Sequence, residues 1–200
     1  MRILLLGPER PSLHAILRAH GDDVLRTEER LDAVSPLLEG VDFLVSYGYR
    51  YILSEGVLEL FPERAINLHI SYLPWNRGAD PNLWSFLEDT PKGVTIHRLA
   101  KGLDTGPILA QERVAWDDVD TLKTSYERLC RTMEALFERI WPQIRSGDVT
   151  PVPQPPGGSY HRSSDREVFE PYLTHGWDTP VKPLIGLALT RQKDGSPCAR

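Results

Sequence analysis

Apolar residues along the chain fall into short unbroken runs, separated by stretches in which they recur every three or four positions. Arg2 to Leu6 is an apolar run closed by Gly7, the pattern of a central strand buried on both faces. Ser12 to Gly21 carries helical spacing and a glycine stop. Asp23 to Thr27 reads as a second strand, Leu31 to Leu38 as a short helix closed by Gly40, and Asp42 to Ser46 as a third strand. Tyr47-Gly48-Tyr49-Arg50-Tyr51 follows at the carboxyl end of that strand, and Ser54 to Phe61 supplies a helical turn or two. Residues 63–66 then lead into a strand bearing Asn67-Leu68-His69-Ile70-Ser71-Tyr72-Leu73-Pro74.

Further on, Gly93 to Leu99 and Ile108 to Val114 are strand-like, joined by a loop from Ala100 to Pro107 that holds two glycines and Asp104. Thr121 to Ile144 is the longest predicted helix. Its stripe of Leu122, Tyr126, Leu129, Met133, Leu136, Ile140 and Ile144 has the spacing of a core-facing surface. Alternation of strands and helices predicts an α/β fold: a Rossmann-like, mostly parallel sheet with helices on both faces. Ligands of such sheets bind beyond the carboxyl ends of the strands, which puts Tyr47 to Leu53 and Asn67 to Gly78 on one rim. No G-x-G-x-x-G follows the first strand, so a dinucleotide cofactor is poorly supported.

The composition shifts at Pro151-Val152-Pro153-Gln154-Pro155-Pro156-Gly157-Gly158, which reads as a loop or linker. We therefore expect one catalytic domain over residues 1–150. Residues 151–200 form a Pro-rich linker and a short C-terminal extension that packs back on it and frays from residue 190. The net charge of −5 leaves no electrostatic footprint for nucleic acid or an anionic membrane, so an anionic ligand needs local arginines. The apolar start of the chain is too short for a signal or spanning segment. Two distant cysteines, Cys130 and Cys198, make no disulfide framework, and a cytoplasmic setting is the simpler expectation.

Asn67 and His69 lie two apart on a predicted strand and so share a face. Alone, such a pair is more often a structural hydrogen-bonding pair than a reactive one. With Asp104 in a glycine-rich loop it makes a set suited to acyl transfer. An Asn amide and a protonated imidazole can donate to a developing oxyanion, and a carboxylate can orient the His or take a proton from the nucleophile. There is no G-x-S-x-G, which favours direct attack by an amine over a covalent enzyme intermediate. The other histidines show no ligand spacing, so no metal is expected, and His97 reads as an ordinary strand residue.

The pattern Asn67-x-His69-x-Ser71-x-Leu73-Pro74, with Gly102-Leu103-Asp104-Thr105-Gly106-Pro107-Ile108 downstream, resembles the formyltransferases that use N10-formyltetrahydrofolate. The likeness is strongest over residues 42–115. It implies that Asn67, His69 and Asp104 are the catalytic set. It also implies that the folate pterin lies against Arg50, Tyr51, Ile52 and Leu53 and against Ala100, Lys101, Gly102 and Leu103. The stretch from Trp75 to Ser85, with Gly158 to Arg162 and Gly176 to Pro180, is most similar to the sugar N-formyltransferases, whose acceptor is the amine of a nucleotide-linked amino sugar. The large extra domain of the methionyl-tRNA branch has no room in 200 residues.

Substrate contacts are then expected from Trp75, Arg77, Gly78, Trp84, Tyr160 and Arg162. Each has a plainer alternative. Arg77 either holds a phosphate or pairs with Asp80. The two tryptophans either stack on substrate or fill a core. Tyr160 and Arg162 either close over the substrate or pin the tail. Other acceptors, such as glycinamide ribonucleotide or an amino acid derivative, stay open, as do a non-catalytic folate-binding module, a formate-releasing hydrolase and a homodimer.

Overall fold

The computed structural model describes residues 1–193. Residues 194–200, with Cys198 and the end of the stretch expected to fray, lie outside the described residues. Two compact units emerge: residues 1–69, 95–110 and 133–154 form the first, and residues 70–94, 111–132 and the described residues from 155 onward the second.

The first unit carries most of a six-stranded sheet. Its strands are β1 (Arg2–Leu6), β2 (Asp23–Thr27), β3 (Phe43–Ser46), β4 (Ala65–His69), β6 (Gly93–Arg98) and β7 (Ile108–Arg113), in the order β2-β1-β3-β4-β6-β7. Pairs β1/β2, β1/β3 and β3/β4 are parallel, whereas β4 and β6 run antiparallel. The strand order reverses at β1, since β2 lies on one side of it and β3 on the other. That reversal opens the crevice in which open α/β sheets place ligands. The apolar runs have their predicted cause: Ile3, Leu4, Leu44, Val45 and Ile66 are all fully buried. Leu4, Leu6, Leu44, Val57, Phe61 and Ala65 share one cluster with Leu31, Leu38 and Leu53.

Helix α1 spans Pro11–Ala19, with proline in its first turn. Helix α2 (Glu55–Leu60) is capped by Ser54, whose side chain accepts from the Val57 N–H at 3.4 Å. The helix expected from Leu31 to Leu38 is not formed; only a 3-10 turn at Pro36–Leu38 appears. Proline suits the start of that turn but disfavours helix in the residue before it, so Leu31 reaches the core from a loop and Leu38 from the 3-10 turn.

The second unit holds α3 (Pro81–Leu87), the two-stranded pair β5 (Arg77–Gly78) with β8 (Tyr160–His161), and α5 (Leu187–Lys193). A helix is thus present where fraying was expected to begin. Leu83, Trp84, Phe86, Leu87, Leu122, Phe169, Val181, Leu184 and Ala188 form its core. The long helix α4 (Leu122–Ser146) starts in this unit and ends in the first. Among the described residues no helix is long and apolar enough to cross a membrane.

Candidate active site

Strand β4 presents Asn67 and His69 on one face at the carboxyl end of the sheet, as the two-residue spacing requires. Its antiparallel neighbour β6 pairs His97 with Asn67 in register. The loop between β6 and β7 then returns Asp104 to the same place. The Asn67 amide donates from Nδ2 to Asp104 Oδ1 at 3.0 Å, and His97 Nε2 lies 3.4 Å from that oxygen. His69 Nδ1 lies 3.6 Å from Asp104 Oδ2. The side chains of His69 and Asp104 are 8% and 7% exposed, so this carboxylate interacts with its partners in a poorly solvated setting.

The His97 tautomer follows from its partners. Nδ1 faces the Arg98 carbonyl oxygen at 2.8 Å, which can only accept, so Nδ1 carries a proton. In the neutral ring Nε2 is then an acceptor for Asn67 Nδ2, 3.4 Å away; in the cationic ring it donates to Asp104. His97 therefore belongs to the cluster, although its strand setting had marked it as ordinary. The signal was missing because cross-strand register is not written locally.

Asp104 is held in a left-handed conformation, φ 53°, uncommon for a residue with a side chain. Gly106 beside it admits no Cβ, since one would fall 1.8 Å from the Arg98 carbonyl oxygen. Thr105 Oγ1 donates to Gly102 O at 3.2 Å within the same loop.

The segments expected to meet a pterin border the β3 and β6 ends. Arg50, Tyr51 and Ile52 are exposed and Leu53 is buried, while Lys101 and Gly102 are exposed and Ala100 and Leu103 half-buried. Ile52 is 70% exposed, an aliphatic surface open to a flat ring. Lys101 Nζ reaches Glu55 at 3.3 Å on α2, so the two segments are linked across the rim. Tyr49 anchors the first of them, donating from its hydroxyl to Glu29 O at 2.6 Å, and burial pushes its pKa up. Its ring packs edge-on against Tyr51.

In the second unit β5 and β8 bring Arg77, Gly78 and Tyr160 together. Gly78 has φ +89°, and a Cβ there would meet His161 O at 2.3 Å. Arg77 Nε donates to Ser159 O at 3.4 Å, whereas Asp80 pairs with Arg166 at 3.5 Å, so the Arg77–Asp80 alternative is not what forms. Trp75, Tyr160 and Arg162 are exposed. Trp84 corrects the expectation of a substrate-stacking ring: it is 2% exposed, stacked on His161 at 3.6 Å and edge-on to Phe169. Its apolar bulk fills the core of the second unit. A cavity of about 280 Å³ in this unit is lined by Leu83, Leu122, Tyr126, Arg166, Leu173 and Trp177 among others. Among the described residues no group of His, Cys, Asp and Glu is arranged to hold a metal ion.

A family model described as formyl transferase matches residues 17–140, more than half the chain. The chain belongs to the formyl transferase family. Among solved structures, the formyltransferase PseJ from Anoxybacillus kamchatkensis is 57% identical with a TM-score of 0.92, over 94% of this chain and 100% of that one. That protein is in complex with UDP-4,6-dideoxy-4-formamido-L-AltNAc and tetrahydrofolate. More distant formyltransferases share the fold alone. The N-formyltransferase from Helicobacter canadensis is 19% identical with a TM-score of 0.73, over 96% of this chain and 81% of that one. A 4-N formyltransferase from Francisella tularensis is 20% identical with a TM-score of 0.72, over 82% and 77%. As a formyltransferase this chain is an enzyme of mixed α/β fold, and the motif that suggested the family, Asn67-x-His69 with Asp104, is the one its sheet gathers.

Proposed function

We propose that this formyltransferase moves a formyl group from N10-formyltetrahydrofolate to the amine of a nucleotide-linked amino sugar. The carrying observation is the Asn67–His69–Asp104 cluster, half-buried at Asn67 and buried at His69 and Asp104, in a chain 57% identical to a protein bound to a UDP-linked formamido sugar and tetrahydrofolate.

N10-formyltetrahydrofolate supplies the formyl group and leaves as tetrahydrofolate. The exposed side chains of Tyr51 and Ile52 and the backbone of Arg50 to Leu53 and Ala100 to Leu103 fit a flat heterocycle, because they combine apolar cover with main-chain donors and acceptors. As the sugar amine bonds to the formyl carbon, negative charge develops on the oxygen and positive charge on the nitrogen. Asn67 and protonated His69 donate to that oxygen. One Asn67 amide proton is committed to Asp104 and the other faces His97 in a long contact, so the amide must turn from His97 to reach that oxygen. Asp104 stabilises the imidazolium and takes the proton that the amine must lose, directly or through water; as the bond from the formyl carbon to N10 breaks, that proton passes to N10, which leaves as tetrahydrofolate. Arg77, Gly78, Trp75, Tyr160 and Arg162 are read as the acceptor-side contacts, with Arg77 aimed at phosphate. Trp84 acts only by supporting His161.

Residues 1–150 are read as the catalytic domain and 151–200 as its extension, the first part of which, to Gln154, belongs to the first unit. The acceptor is a small molecule, not nucleic acid or a membrane surface, and the enzyme works in the cytoplasm. Cys130 as a buried free thiol supports that setting.

The test is formylation of a panel of amines with N10-formyltetrahydrofolate, read by mass. A nucleotide-linked amino sugar should gain one formyl group. Efficient transfer to charged methionyl-tRNA or glycinamide ribonucleotide, with none to the sugar, would overturn the reading.

A further inference from the structure

The proline-rich stretch after α4 has the composition of a linker, yet its first residues are built into the first unit. Val152 and Ile108 exchange two backbone hydrogen bonds, Ile108 N–H to Val152 O at 2.7 Å and Val152 N–H to Ile108 O at 2.8 Å. The bridge is antiparallel, so two residues onward Gln154 comes level with Gly106. There its Nε2 donates to Asp104 O at 2.7 Å and to Gly106 O at 2.8 Å. Both amide protons are thus spent on the main chain that carries Asp104. Pro153 and Pro155 flank the glutamine and restrict its backbone, so few alternatives compete with this placement.

The loop it grips needs such a brace. Asp104 has φ 53°, a conformation that persists in a non-glycine residue only where the surroundings enforce it. Strand β6 holds the loop's far end, where the Arg98 N–H donates to Pro107 O at 3.0 Å. Gln154 reaches the carbonyl of Asp104 itself. A small rotation of that peptide would swing the carboxylate off Asn67 and His97.

We infer that Gln154 is a positioning residue for formyl transfer: a strap of residues 151–155 uses its amide to fix the backbone of Asp104 and thereby aim the carboxylate. The inference rests on the reading of Asp104 as the proton acceptor. It converts a segment that looks like a connector into part of the active-site frame.

The experiment is a double-mutant cycle of Gln154→Met, close in shape but without donors, with Asp104→Asn. Both are assayed with N10-formyltetrahydrofolate and the nucleotide-linked amino sugar. Gln154→Met should lower kcat by roughly 10- to 100-fold, the loss expected from an ångström-scale misplacement. KM for either substrate should change little. In the Asp104→Asn background the same substitution should cost almost nothing, because it acts through the missing carboxylate. Amide exchange over residues 102–107 should quicken while that of β1 and β3 does not. Gln154→Glu, which replaces a donor by an acceptor against two carbonyls, should be at least as damaging. Should Gln154→Met prove too unstable to assay, Gln154→Asn carries the same amide on a shorter stem and gives the same cycle. Normal kcat in folded Gln154 variants, or a full additional loss in the Asp104→Asn background, overturns the strap. An Asp104→Asn enzyme with normal turnover instead removes the reading beneath it.

Discussion

Gly106→Ala puts the loop geometry under the hardest test. A Cβ at this position would sit 1.8 Å from the Arg98 carbonyl oxygen, 2.8 Å from its carbon and 3.4 Å from Ala100 Cβ. Close carbon–oxygen contacts settle at roughly 3.3 Å or more, so the backbone must yield by about 1.5 Å. The atom in the way is the same carbonyl that holds His97 through Nδ1, and Asp104 lies two residues away in the loop. Relief therefore moves the carboxylate, the imidazole, or both. Overpacking of this kind costs about 1–3 kcal/mol, which for a chain of this size lowers Tm by roughly 2–4 °C per kcal/mol. Displacement of catalytic groups by an ångström is worth on the order of 10² in rate, so kcat should fall at least that far. Gly147→Ala is the control. Unlike Gly106 it has a positive φ, +82°, and nothing lies within 4 Å of the added Cβ. It should lose about 1 kcal/mol of stability and keep its turnover. The assay is thermal unfolding beside steady-state formyl transfer. A Gly106→Ala enzyme with near-normal kcat would refute the argument that this contact fixes the site.

Asp104→Asn keeps the side chain's shape but removes its charge and basic site; turnover should fall by about 10² to 10⁴, with folate affinity, measured by titration calorimetry, changed far less. Asp120 provides a pH test of the second unit. Burial by itself pushes this carboxyl's pKa up, but hydrogen bonds from the Asp117 N–H, both Arg128 nitrogens and Thr124 outweigh it and hold the pKa below the ordinary value. A lowered folded-state pKa contributes stability above the unfolded value near about 3.9, and loses it as pH falls from there toward the folded value. Asp120→Asn should therefore cost about 1–2 kcal/mol at neutral pH, discounted because Arg128 is a third exposed, and should flatten the fall of Tm below about pH 4.

Much of this arrangement is legible in the residues. Strands β1 and β3 advertise themselves as apolar runs because both their faces are covered, and α4 as a long stripe because one side of it is. Asn67, His69 and Asp104 could be singled out because strand periodicity and a two-glycine loop are local signals. Helix α3 was invisible for the opposite reason: Asn82, Leu83, Trp84, Ser85, Phe86 and Leu87 are all buried, so no polar face gives it a period. Two of its buried polar groups are satisfied from afar. Asn82 donates to Leu122 O at 2.8 Å and accepts from Ser125 Oγ at 2.9 Å, which no local pattern encodes. His97 and Gln154 were missed likewise, one placed by antiparallel register and the other by a bridge across 44 residues of sequence between Ile108 and Val152. Trp84 was expected at the substrate because the stretch from Trp75 to Ser85 is similar to the sugar N-formyltransferases, but the plainer alternative holds: it fills a core, and His161 already occupies its face.

The central claim is the identity of donor and acceptor, and a competition experiment tests it most directly. N10-formyltetrahydrofolate labelled with carbon-13 in the formyl group is offered with an equimolar mixture of a nucleotide-linked amino sugar, glycinamide ribonucleotide and free amino acids. Carbon NMR then follows where the label goes. The account predicts one new formamide resonance, on the amino sugar, growing in step with tetrahydrofolate release and absent with Asp104→Asn. Label appearing as free formate, or on another amine in preference to the sugar, would contradict it.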